Sequence, residues 1–126
     1  MICITSTGTT MDAMVDYRFG RCSYFLFIDE EKESIIEVIP NPNLEVLHGA
    51  GVQSAQIVAE KKPKLLITGN IGPNAYSLLT SAGVKVAAGF FGKVSDAVKE
   101  YKSGKLKLID APNVPGHFGK GSGNRR

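Results

Sequence analysis

The chain has 126 residues, 43% hydrophobic and 21% charged, which leaves room for one hydrophobic core and excludes both a second domain and a fully disordered chain. Its formal charge of +3 sits at the C-terminus: residues 1–110 hold all 12 acidic and 12 of the 15 basic side chains, and Lys120, Arg125 and Arg126 carry the excess. A neutral body argues against a broad phosphate-tracking face, so nucleic acid is not an expected partner.

In chain order, the short apolar run Ile2 to Thr5 reads as a buried strand ahead of the turn-rich Ser6-Thr7-Gly8-Thr9-Thr10. Tyr24 to Asp29 and Ser34 to Ile39 are two further strands, and the charged Glu30-Glu31-Lys32-Glu33 between them predicts a hairpin. Pro40 and Pro42 end the third strand and open a loop through Asn41 and Asn43. From Gly51 the period changes: Val52, Ala55, Val58 and Ala59 recur at helical spacing until Pro63. Lys64 to Thr68 returns to strand. Pro73 opens a second helix with Ala75, Leu78, Leu79 and Ala82 on its apolar stripe and Gly83 at C′. Val84 to Ala88 is a last strand, and a third helix carries Val94, Ala97, Val98 and Tyr101 before Gly104.

This order predicts an α/β domain over residues 1–110, a mixed five-stranded sheet with one antiparallel hairpin and crossover helices. After Asp110 periodicity is lost among prolines, glycines and basic residues, so 111–126 is expected to be a flexible, basic, Gly-rich tail. No run reaches the roughly 18 apolar residues of a membrane span, and Met1-Ile2-Cys3-Ile4-Thr5 lacks the basic n-region of a signal peptide. A cytoplasmic location without membrane contact is expected.

Four stretches are recognisable together: Val15-Asp16-Tyr17-Arg18-Phe19-Gly20-Arg21-Cys22, Gly49-Ala50-Gly51, Thr68-Gly69-Asn70-Ile71-Gly72-Pro73-Asn74-Ala75 and Asn113-Val114-Pro115-Gly116-His117-Phe118-Gly119. In this order and spacing they resemble the dinitrogenase iron-molybdenum cofactor biosynthesis family across essentially the whole chain. The resemblance implies a ribonuclease H-like three-layer fold and the binding or ferrying of iron-sulfur or iron-molybdenum clusters. Relatives often carry a cysteine where this chain has Ile71, so one potential sulfur ligand is missing.

A cluster carrier needs few and reachable soft ligands, because it must release its cargo. Cys3, within the first strand, reads as a small buried hydrophobe. Cys22 follows Arg18 and Arg21, whose charge favours a thiolate, although packing is an equally good reading. Two cysteines do not make a disulfide framework. His48 stands at a helix entry, where a side chain reaches a ligand, caps the helix or faces water. His117, between Gly116 and Gly119, has steric freedom to approach a ligand.

Cys22, His48 and His117 are thus the candidate metal ligands. They are too scattered for a closed site, which leaves an incomplete, exchangeable one completed by another subunit, a thiol, or a donor or acceptor protein. Gly49 and Gly51, and Asn70, Gly72 and Asn74, each lead into a helix N-terminus, where amides and the helix dipole favour an anionic cluster, although tight packing turns also call for glycine.

The fold name invites a two-metal nuclease, but the first strand offers no carboxylate and Glu30, Glu31 and Glu33 fall in a hairpin turn. The expected function is therefore non-catalytic: a transient cluster carrier. The competing reading is a polyanion or protein interaction module that uses the basic tail.

Overall fold

A computed structural model describes residues 1–114. Three strands come first and helices then alternate with the remaining two: β1 Ile2–Ser6, β2 Tyr24–Asp29, β3 Ser34–Pro40, α1 Ala50–Lys61, β4 Leu65–Ile67, α2 Pro73–Ser81, β5 Lys85–Ala87 and α3 Val94–Lys102. They form one mixed sheet of order β3-β2-β1-β4-β5, in which β2 runs antiparallel to both neighbours and β1, β4 and β5 are parallel.

Both faces of the sheet are covered, which is why β1 and β2 are apolar at successive positions instead of alternating with polar residues. Cys3, Phe25, Phe27, Leu66 and Val86 face one way and pack with Ala55 and Val58 of α1 and Ala75 and Leu79 of α2. Ile2, Ile4, Leu26, Ile28 and Ile67 face the other way, against Val94, Ala97 and Val98 of α3. The result is three layers. Phe19 and Phe25 meet edge to face at 6.1 Å and join the β1–β2 loop to the first layer.

Element types and order match the sequence reading, with small differences at the ends. Pro40 continues β3 instead of ending it, pairing with Tyr24, because β3 is an edge strand whose outward side needs no N–H. A register shift at Phe27/Ile28 leaves Ile36 as an extra residue in β3, and it is 59% exposed. Gly83 has φ +86°, as its C′ position after α2 requires.

The domain boundary expected after Asp110 does not mark where attachment stops: the amide of Val114 still donates to the Ile71 carbonyl at 3.2 Å. His117, Lys120, Arg125 and Arg126 lie outside the described residues. Among the described residues no helix is long and apolar enough to cross a membrane.

Candidate anion site at the carboxyl ends of the strands

β1, β4 and β5 point their carboxyl ends the same way, and the loops that follow them meet there. Residues 14–21 of the β1–β2 loop lie across these ends as a strap. Met14 bridges Lys93 after β5, Arg18 bridges Asn70 after β4, and the Arg21 guanidinium donates to the Leu44 carbonyl after β3 at 3.0 Å.

Buried polar groups hold the strap. The Thr5 hydroxyl donates to the Asp16 carbonyl at 2.8 Å and shares a second 2.8 Å hydrogen bond with Thr68. The Asp16 carboxylate, 5% exposed, accepts the amides of Arg18 and Ser23 at 3.2 Å each. Asn41 donates to the carbonyls of Gly20 and Cys22, and Ser54 of α1 also donates to Gly20. Each is a buried polar group with partners, so the strap is fixed in place.

Two glycines let the strap lie this low. A Cβ on Gly69 would stand 2.4 Å from the Tyr17 Cα, and one on Gly20 would stand 2.9 Å from the Gly51 Cα. Gly20 is therefore the glycine that the close approach of α1 to the strap requires, whereas a Cβ on Gly51 would find ordinary contact. Gly49, with φ +79°, takes the left-handed conformation that admits the chain into α1.

The strap passes beside the start of two helices. A Cβ on Gly51 would sit 3.7 Å from that of Ala75, so the first turns of α1 and α2 are neighbours. Neither N-cap, Gly49 or Gly72, has a side chain to cap with. The first helical bonds come from Gln53 to Gly49 and from Tyr76 to Gly72, which leaves the amides of Ala50, Gly51 and Val52 and of Asn74 and Ala75 ahead of the ladders. Arg18 is exposed, lies 5.9 Å from the Tyr17 ring centroid, and is bound through its backbone neighbours to the α2 entry; Arg21 holds the α1 entry loop. The Arg18 guanidinium also stands 4.0 Å from the Asp16 carboxylate, so it is part-neutralised there, and adjacent amides and two helix dipoles are what suit this end to an anion.

Gly49, Gly51, Asn70, Gly72 and Asn74 thus share one end of the molecule, although Gly72 has φ −87° and open space around it and needs no glycine for steric reasons. The metal-ligand candidates fare differently. His48 is exposed on the β3–α1 loop. Cys22 is fully buried in the same cluster as Cys3, and both are free thiols.

The expectation of an activated Cys22 thiolate is corrected: burial pushes its pKa far up and the Asp16 carboxylate adds to this, while Arg18 opposes it least. Among the described residues no three His, Cys, Asp or Glu side chains stand together as a metal site. Ile71 is 1% exposed and packs in the core. The sequence reading missed Asp16, Asn41, Ser54 and Thr68, since isolated polar residues carry no periodic signal and become informative only once they are seen buried.

Fold and site together define a small α/β domain with two uncapped helix N-termini at one end of its sheet. The chain belongs to the dinitrogenase iron-molybdenum cofactor family, whose sequence model matches residues 1–104. An uncharacterized protein of Methanocaldococcus jannaschii is 33% identical over 94 residues, 73% of this chain and 80% of that one. The apo form of the orange protein from Desulfovibrio gigas superimposes with a TM-score of 0.85 at 34% identity, covering 90% of this chain and 95% of that one. A provisionally assigned NifB protein from Thermotoga gives a TM-score of 0.75 at 33% identity, covering 90% and 96%. The family connects the chain with the iron-molybdenum cofactor of dinitrogenase.

Proposed function

We propose that this protein is a non-catalytic cytoplasmic carrier that binds an iron-sulfur or iron-molybdenum-type cluster, or its precursor, transiently at the carboxyl ends of β1, β4 and β5. The observation that carries this reading is the pair of adjacent helix N-termini without side-chain caps, with the backbone of Arg18 tied to the loop that enters α2 and the Arg21 guanidinium bound to the Leu44 carbonyl in the loop that enters α1. A sulfide-bridged cluster is anionic, and amides and guanidinium groups recognise it through hydrogen bonds and charge. Because both thiols are buried, the cargo is held without a bond to cysteine sulfur. Such binding is reversible, as hand-over between a donor and an acceptor protein demands.

Support comes from the family and from the orange protein, whose apo designation implies a form with something bound. The non-catalytic part of the reading is supported by β1, ICITS, which offers no carboxylate for two-metal hydrolysis. The strand order with a single antiparallel strand, β2, supports a ribonuclease H-like designation of the fold.

The test is anaerobic reconstitution with iron, molybdenum and sulfide, followed by quantitation of all three. The wild-type protein and Cys22→Ala are expected to retain cargo alike, whereas Arg18→Gln/Arg21→Gln is expected to hold it about tenfold less tightly, the equivalent of ~1.4 kcal/mol. A wild-type protein that retains neither metal nor sulfide, or a Cys22→Ala variant that alone loses them, overturns the proposal.

A further inference from the structure

The chain beyond the residues matched by the family model returns to the proposed site. After α3 it runs along the outer side of β5, where the Ile109 amide donates to the Val86 carbonyl at 2.9 Å and the Ile109 carbonyl accepts the Tyr76 hydroxyl at 3.2 Å. Asn113 then reaches the β4–α2 loop. Its Oδ1 accepts the Ile71 amide at 2.8 Å, its Nδ2 donates to the Gly69 carbonyl at 2.9 Å, and the Val114 amide donates to the Ile71 carbonyl at 3.2 Å.

The other side of the same loop belongs to the strap. The Phe19 amide donates to the Asn70 carbonyl at 3.1 Å and the Asn70 amide donates to the Tyr17 carbonyl. Residues 69–71 are thus clamped from two sides immediately ahead of Gly72, the N-cap of α2. The strap accounts for one clamp. Residues 113–114 form the other, and they claim both backbone polar groups of Ile71, a residue only 1% exposed. Without Asn113 the part-buried Ile71 amide loses its partner, and the loop is free to shift towards another partner or water.

We infer that Asn113, which lies past the residues 1–104 matched by the family model, is a positioning residue of the anion site. It acts through Gly69 and Ile71 by setting where the Asn74 and Ala75 amides of α2 point. This rests on the proposed anion-binding role, and the experiment separates the two.

The full chain is titrated with tetrathiomolybdate, a sulfide-terminated anion, well below its melting temperature. Asn113→Ala is expected to bind about tenfold more weakly than wild type. Asn113→Asp keeps the acceptor for Ile71 but loses the donor to Gly69 and adds a negative charge, so it is expected to be nearer wild type in melting temperature yet the weakest binder. Unchanged affinity in both variants, or an affinity order that merely follows melting temperature, overturns the inference while leaving the carrier role standing.

If wild type binds no tetrathiomolybdate, the carrier reading fails for this class of anion, and amide exchange still decides the role of Asn113. In Asn113→Ala, faster exchange at Asn74 and Ala75 as well as at Ile71 supports positioning, and a change confined to Ile71 overturns it.

Discussion

At the residue scale, the glycines of the site do different work, and only the structure separates them. Gly69 is needed because the backbone of Tyr17 occupies the space its Cβ would take, and Gly49 because of its positive φ; Gly72 has neither constraint. Gly69→Ala is therefore expected to lower stability by about 1–3 kcal/mol, the range for forced overpacking, and to lift the strap from the sheet end. Gly72→Ala is expected to stay near wild type. Urea denaturation of both variants checks this, and equal losses would contradict the assignment of Gly69 as the point of closest approach. Cys22 shows the opposite limit of residue-level reading. Its neighbours in sequence, Arg18 and Arg21, pointed to a thiolate, but the buried surroundings and Asp16 govern it, and neither is visible from adjacent residues.

At the element scale, α1 and α2 both start at a glycine N-cap, which supplies no capping side chain and leaves the first amides of each helix open. Asn74, exposed in the first turn of α2, makes this testable. Asn74→Asp is expected to stabilise the protein by about 0.3–1 kcal/mol through the helix dipole, and at the same time to weaken retention of an anionic cluster, because the carboxylate competes for the same amides and repels the cargo. Thermal denaturation and anaerobic cluster quantitation on one preparation give the two signs; a variant that gains in both measurements rules out an anion at the α2 entry. The apolar stripes and the Pro73 and Gly83 signals placed these helices in the sequence because their spacing follows helical geometry directly. Their side-by-side contact at Gly51 and Ala75 was not legible, since it depends on how two crossovers pack on one face of the sheet.

At the scale of the whole molecule, the end opposite the anion site is held by charge. Glu30, 7% exposed, pairs with the N-terminal ammonium at 3.0 Å and with Lys64, which joins the hairpin turn to the entry of β4. Burial pushes the Glu30 pKa up, but the hydrogen bonds from Lys64, its own backbone and the terminus outweigh this and lower it from 4.5 to about 2. Since the folded value is the lower one, this stabilisation is fully present above about pH 4.5 and is lost as the pH falls towards about 2. Glu30→Gln is expected to cost about 1–2 kcal/mol at neutral pH, allowing for solvent screening of the exposed partners, and to match wild type near pH 2. Urea titrations at several pH values test the convergence.

The strand and helix order, the apolar faces, the neutral body and the family were all determined by the sequence alone, because they depend on local periodicity, composition and short motifs. Only the tertiary structure decided that Asp16, Asn41 and Thr68 are buried braces, that Cys22 is a core thiol and that Asn113 returns to the β4–α2 loop. Those facts follow from contacts between residues distant in the chain, where burial and partner geometry, rather than residue type, set what each group can do.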